Sequence, residues 1–322
     1  MSILDLASEK PPAPVRLDAI EIEGYKSIRA ATLELDALHV IIGAHGAGKS
    51  NLLEVFDHLF RFVRDPSPYQ IEHPGFARDI LHVGREAATT VRVALRAGTH
   101  RQGVTLAPAA FGNRTILARG LEGGPFSAWL QRGQSFRIHV GPHATIRRPQ
   151  DAGDCQALRS DGANLAPFLY ALRTQAPGAY RRIVDVVRSV SPWLDGLALA
   201  PHADDPRVRI SDGLLRFLAL ATLLLQPALP SILVLDEPDL GLHPAAIVQL
   251  AALIRLAAQK TQILLATQSV TLLDQFDAGQ VIVVERIDGE SRFRRLDLDI
   301  LATWKDDYSL GELWQKNVLG GR

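Results

Sequence analysis

The chain has 322 residues, 47% apolar and 22% charged, enough for two average domains or one large domain carrying an insertion around a sizeable core. Lys+Arg and Asp+Glu both number 35, so net charge singles out no partner; the single cysteine, Cys155, excludes disulfide scaffolds and cysteine-based zinc sites and fits a cytosolic, reducing compartment. No membrane segment is expected: the most apolar run, Phe217 to Leu225, has nine residues between Arg216 and Gln226, against the roughly 20 a spanning helix needs, and no basic-then-apolar leader precedes it.

Residues 1–14, closing on Lys10-Pro11-Pro12-Ala13-Pro14, read as a loose tail. From Arg16 to Ile42 the pattern is strand-like and ends in the continuous apolar run Leu38-His39-Val40-Ile41-Ile42, as a strand buried on both faces would show. A Gly-rich turn follows, then a helix over Asn51 to Val63 with apolar residues at helical spacing, stopped by Asp65-Pro66-Ser67-Pro68. Residues 85–150 alternate short β-like pieces, among them Val91 to Leu95, Thr115 to Leu117 and Phe136 to Val140, with turns, which predicts an antiparallel sheet forming an arm. Residues 151–204 turn helical, with a break near Pro177-Gly178. Residues 205–322 open with an apolar helix from Leu214 to Gln226. Strand Ile232 to Leu235, helix Ala245 to Gln259, strand Ile263 to Ala266, a short helix from Thr271 and a hairpin from Val281 to Arg295 follow.

Gly43-Ala44-His45-Gly46-Ala47-Gly48-Lys49-Ser50 matches the phosphate-binding loop GxxxxGK[ST], with a buried strand before it and an amphipathic helix after it. The glycines let backbone N–H groups turn inward around phosphates, and the helix N-terminus adds a positive dipole end. Lys49 is placed to contact the β- and γ-phosphates of ATP, and the Ser50 hydroxyl to ligate Mg²⁺. By chance such a match arises in about one chain per hundred of this length, before its flanking elements are required.

Ser231 to Glu237 is an apolar strand ending in two acids. Asp236 suits a Walker B aspartate beside Ser50, and Glu237 the base that orients the attacking water. Ahead of it, Ser211-Asp212-Gly213 opens the helix from Leu214. Such residues are ordinary N-caps, yet a hydroxyl and free N–H groups at a positive helix end also form an anion site, and both readings stay open.

Phosphate loop, Ser-x-Gly helix start, Asp-Glu strand and a further strand ending Ala266-Thr267-Gln268-Ser269 occur in an order that resembles the ABC-type ATPase heads of the SMC and RecF group. The chain is more closely similar to stand-alone bacterial ATPases of the AAA/ABC "overcoming lysogenization defect"-like branch. The phrases carrying this are Gly24-Tyr25-Lys26-Ser27-Ile28, Gly48 to Leu53 (Asn51 included), Ser160 to Leu165, Asp236 to Pro244 and Tyr308 to Trp314. The resemblance implies an α/β P-loop NTPase with an ABC/SMC-type head, its N-terminal lobe over residues 15–84 and its C-terminal lobe over 205–322. It also implies a homodimer sandwiching two ATP molecules, with Ser211 and Gly213 of one copy capping the γ-phosphate held by the other. Two departures stand out. The group usually has His where Gln268 stands, contacting the γ-phosphate; Gln donates a hydrogen bond but cannot become cationic, which implies slow hydrolysis or a sensing role. The lobe-linking loop usually carries a Gln, whereas Ala77 to Gly84 has none; His82 is the alternative there, and a lone histidine is otherwise a half-buried structural residue.

Ten arginines against two acids between Arg85 and Gln150 predict a basic sheet face, with Arg alternating with apolar residues. Such a face suits DNA through its phosphates rather than its bases, or an acidic partner protein. His139 and His143 flank Gly141-Pro142, which prevents the helix that would converge them, so no metal is expected there. The leading expectation is a cytoplasmic Mg²⁺-ATPase that dimerises on ATP and acts on DNA in repair or defence, any nuclease residing on another polypeptide. The rival is an ATP-gated scaffold for a partner effector with little turnover. The atypical Ser-Asp-Gly and missing Gln count against a transporter ATPase.

Overall fold

The computed structural model describes residues 16–65, 69–70, 77–82, 88–108, 115–120, 126–138, 146, 155, 157–192, 211–302, 304 and 307–321. The tail, Arg85, Arg114, Arg147, Arg148, His139 and His143 lie outside these. The chain divides into two units. One comprises Ala13–Ser135, Ser231–Val234 and Gln262–Arg322; the other contains Phe136–Pro230 and Leu235–Thr261.

The first unit opens with β1 (Ala19–Tyr25), β2 (Ile28–Glu34), β3 (Leu38–Ile42) and α1 (Lys49–Arg64). Then come β4 (Tyr69–Gln70), β5 (Val91–Ala97), β6 (His100–Pro108), β7 (Thr115–Arg119), α2 (Ser127–Gln131) and β8 (Gln134–Phe136). The second unit holds α3 (Leu165–Gln175), α4 (Pro177–Val190), α5 (Asp212–Leu225), the end of β9 (Ile232–Asp236) and α6 (Pro244–Ala258). The chain then returns to the first with β10 (Gln262–Ala266), α7 (Val270–Leu273), β11 (Val281–Ile287), β12 (Glu290–Arg295), α8 (Leu298–Ala302) and α9 (Leu310–Gln315).

Two six-stranded sheets result, ordered β2-β1-β5-β6-β7-β4 and β12-β11-β3-β10-β9-β8. In the second, β3 pairs in parallel with both β10 and β11, and all five of its residues are buried, as its unbroken apolar run requires. Between the sheets, α1 contributes Leu52, Leu53, Val55, Phe56, Leu59 and Phe60 to a core shared with Ile20, Ile22, Val93 and Leu95 of the first sheet and Ile41, Leu264 and Ile282 of the second. Each such side chain contributes about 1.5–3 kcal/mol by leaving water. A buried amide ties the chain's first strand down: Gln262 accepts from the Leu17 N–H at 2.8 Å and donates to the carbonyls of Leu17 and Asp36 at 2.8 and 3.1 Å.

Two expectations change. The strands β5 to β7 are antiparallel, but β5 pairs along β1, so they extend the N-terminal sheet. The strand expected at Phe136 to Val140 is instead β8, ending at Phe136, and it belongs to the other sheet. Beyond it the Arg137 N–H leaves the ladder and donates to the Ser160 carbonyl at 3.1 Å. In the second unit α4 packs on α3, α5 and α6, and the nearly all-apolar α5 is buried over most of its length.

Candidate functional site

β3 delivers the chain into the Gly43–Ser50 loop, and the loop's glycines answer to close neighbours. A Cβ on Gly43 would lie 2.3 Å from the Val284 carbonyl oxygen, and one on Gly48 (φ 112°) only 2.0 Å from the Ser291 hydroxyl. At Gly46 (φ 77°) the space is open, so the loop's outer rim is clear. Serines from two hairpins brace it from behind. Ser291 Oγ donates to the Ala47 carbonyl at 2.5 Å and lies 2.6 Å from Ser27 Oγ, which accepts from Asn51 Nδ2 at 2.6 Å. Arg286 donates to the Gly46 carbonyl at 3.1 Å. Lys49 is buried, its ammonium donating to the carbonyls of Gly43 and Ala44 at 2.7 and 2.9 Å, while His45 and Ser50 are exposed. Such a rim, with N–H groups at the start of a 16-residue helix and a lysine beneath, fits a chain of phosphates.

The same unit presents Gln268. Ala266 of β10 lies opposite Ile41, and the Thr267 N–H donates to the Ile41 carbonyl at 3.1 Å, so exposed Gln268 emerges at the strand ends where the phosphate loop also begins. His82 serves the β1–β2 turn: it is buried, and its Nδ1 donates to the Lys26 carbonyl at 2.6 Å. Below that turn, Lys26 pairs with Glu54 of α1, and the Tyr25 hydroxyl lies 3.1 Å from His58 Nε2. Burial holds His58 down at about 4. Burial alone would raise the Glu54 carboxyl, but the Lys26 hydrogen bond and charge outweigh it and leave it below the usual range.

The remaining candidates stand in the second unit. Asp236 ends β9, and Glu237 follows in a left-handed conformation (φ 45°) that few non-glycine residues adopt. The Leu240 and Leu242 N–H groups then close tight turns onto Glu237 and Asp239, and His243 caps α6 with Pro244 at its first position. Ser211 is exposed and N-caps α5, accepting from the Leu214 N–H at 3.3 Å. Gly213 abuts the turn after the acids: a Cβ there would be 2.6 Å from the Gly241 carbonyl oxygen. Thus Asp236, Glu237, Ser211 and Gly213 share one unit, and the phosphate loop and Gln268 the other. Taken each by itself, the Ser50 hydroxyl and the Asp236 carboxylate are hard oxygens of the kind Mg²⁺ takes alongside phosphate and water.

Sequence reasoning missed the bracing role of Ser27, Ser291 and Arg286, and two arginines of the second unit. Arg137 Nη2 lies 2.7 Å from Asp236 Oδ2. Arg216, nearly buried on α5, donates to the Ile138 carbonyl at 2.7 Å. Burial lowers its pKa against the opposing pull of Asp239, Glu237 and Asp212. Part of the expected basic sheet face meets acidic neighbours. Among the described residues, Arg92, Arg96 and Arg101 pair with Glu23, Glu34 and Glu21 at 3.6, 2.5 and 2.6 Å, because β1 and β2 bring glutamates alongside them. The Arg101 hydrogen bond holds the Glu21 carboxyl below its usual range.

A family model described as "AAA domain, putative AbiEii toxin, Type IV TA system" matches residues 196–274. Among solved structures the chain is similar to an SMC head bound to the C-winged helix domain of ScpA, with TM-score 0.59 and 17% identity over 89% of this chain and 99% of that one. It is also similar to the SMC head domain from Thermotoga maritima (TM-score 0.51, 15% identity, 88% and 99% covered). A third is an SMC head with an extended coiled coil bound to the C-terminal domain of ScpA from Pyrococcus furiosus (TM-score 0.53, 13% identity, 90% and 98% covered). No curated protein matches in sequence. The class is therefore defined by its fold: the chain has the α/β fold of the SMC head structures, with a P-loop sequence at the end of β3.

Proposed function

We propose that the protein binds and hydrolyses ATP with Mg²⁺ and dimerises on the bound nucleotide. The observation that carries this is the Gly43–Ser50 loop, closed behind by Val284 and Ser291 and open at Gly46, with Lys49 beneath it. In this reading the loop N–H groups and Lys49 hold the phosphates, and Ser50 with Asp236 holds the cation, which supplies charge neutralisation. Glu237 orients the attacking water, Gln268 donates a hydrogen bond to the γ-phosphate, and the exposed Ser211 with Gly213 caps the nucleotide of the twin copy. Lys49→Ala then abolishes ATP binding. Glu237→Gln retains it and accumulates an ATP-bound dimer, read by sedimentation velocity; a variant that stays monomeric in saturating Mg-ATP sinks the sandwich.

A second reading, an ATP-gated scaffold for an effector protein, is favoured over direct DNA handling by the paired charges on β1, β5 and β6. Two of the similar SMC heads carry a bound ScpA domain, and the matched family model names a toxin of a toxin–antitoxin system. Both support a protein as the listener. Duplex-DNA binding across a salt series decides: a steep loss of affinity with salt restores the DNA reading, and a flat response leaves the effector.

A further inference from the structure

We propose that Arg137 is the resident counter-ion of Asp236 and sets how much divalent cation the site needs, an inference that rests on assigning Asp236 to the cation. Arg137 reaches Asp236 from a backbone fixed on three sides. Phe136 before it and Ile138 after it are both buried. Its own N–H donates to the Ser160 carbonyl at 3.1 Å, and the next carbonyl, Ile138, accepts from Arg216 at 2.7 Å.

Ser160 belongs to a turn with its own internal hydrogen bonds. Wholly buried Asn164 bridges it, its amide donating to the Ala157 carbonyl at 2.7 Å and accepting from the Arg159 N–H at 2.8 Å, and Gly162 takes φ 69°. The Ser160–Leu165 phrase thus has a structural purpose: it holds the strap from which Arg137 projects. The Arg216 end of that strap lies on α5, the helix that Ser211 caps.

The electrostatic consequence follows from the pair. Asp236 and Glu237 are adjacent acids, and the guanidinium on Asp236 Oδ2 supplies the positive charge a divalent cation would otherwise bring. A cation ligand and a guanidinium compete for the same carboxylate, so Arg137 lowers the site's affinity for bare cation and makes occupancy depend on the phosphates arriving too. The Asp236 side chain is 16% exposed and that of Arg137 36%, so the contact is shielded only in part. Its effect is set at roughly three- to tenfold.

The test uses the full chain as wild type, Arg137→Gln and Arg137→Lys. Mn²⁺ binding is read by electron paramagnetic resonance without nucleotide, and the Mg²⁺ dependence of a fluorescent ATP analogue's affinity is read in parallel. Arg137→Gln should bind Mn²⁺ and reach half-maximal Mg²⁺ response at about three- to tenfold lower cation concentration, with Arg137→Lys near wild type. Where Arg137→Gln does not fold, Arg137→Met keeps the aliphatic stem and carries the same expectation. Unchanged or weaker cation binding in the charge-removed variants overturns the proposal. Should wild type bind no nucleotide at any Mg²⁺ concentration, the ATP reading fails instead, and the Mn²⁺ series still decides the role of Arg137.

Discussion

The phosphate loop depends on a hydroxyl some 240 residues downstream, since Ser291 holds the Ala47 carbonyl while occupying the space a Cβ on Gly48 would claim. Ser291→Ala leaves that carbonyl without its partner in a buried place, which costs about 1–2 kcal/mol and loosens the loop. Stability by urea denaturation should fall by that amount, and affinity for an ATP analogue should fall several-fold; full affinity with only the stability loss would confine Ser291 to folding. The loop itself was legible because a Gly-rich signature between a buried strand and a helix encodes a backbone path. A serine on the returning strand of a distant hairpin carries no such pattern, and neither does Arg137, whose alternation with apolar neighbours matched a solvated sheet face equally well.

Helices and strands were read well where burial is one-sided or total. β3 and α5 announced themselves by unbroken apolar runs, and α1 by its spacing. Which strand lies beside which was not readable, because pairing is long-range: β5 finds β1 across some 70 residues, and Glu23 of β1 and Glu34 of β2 pair with its arginines. The C-terminal phrase Tyr308 to Trp314 proves to be a docking element. Ser309 and Glu312 form a capping box for α9, and the Gly311 N–H donates to Asp274 Oδ1 at 2.6 Å. A Cβ at Gly311 would be 2.3 Å from Val270 Cγ1 on α7, the helix that follows Gln268. Gly311→Ala should therefore push α9 off α7 and destabilise by about 1–3 kcal/mol, visible as a lowered melting temperature; an unchanged value would show that α9 shifts freely.

For the molecule as a whole, buried histidines make stability depend on pH. His39 and His58 both titrate at about 4 when folded, held down first by burial, against an ordinary value of 6.5. The unfolded chain therefore binds more protons between these values, so their contribution is complete above about pH 6.5 and is lost as pH falls towards 4, at about 1.4 kcal/mol per pH unit for each fully protonating histidine. Glu54, whose folded value is also depressed, adds loss of the same sign at the acid end of that window. Urea midpoints from pH 8 to 4 should fall only below about 6.5, and His58→Gln should flatten roughly half of the slope; a pH-independent midpoint would mean both rings accept protons in place. Glu237 points the other way. Its left-handed backbone is one that glycine would adopt without strain, so a glutamate there is held against local conformational preference. Laboratory evolution rewarded only for heat tolerance should therefore drift towards glycine at that position and deliver a sturdier fold, whereas, on the proposed role of Glu237 in orienting water, selection for ATP turnover should keep the carboxylate and accept the softer one.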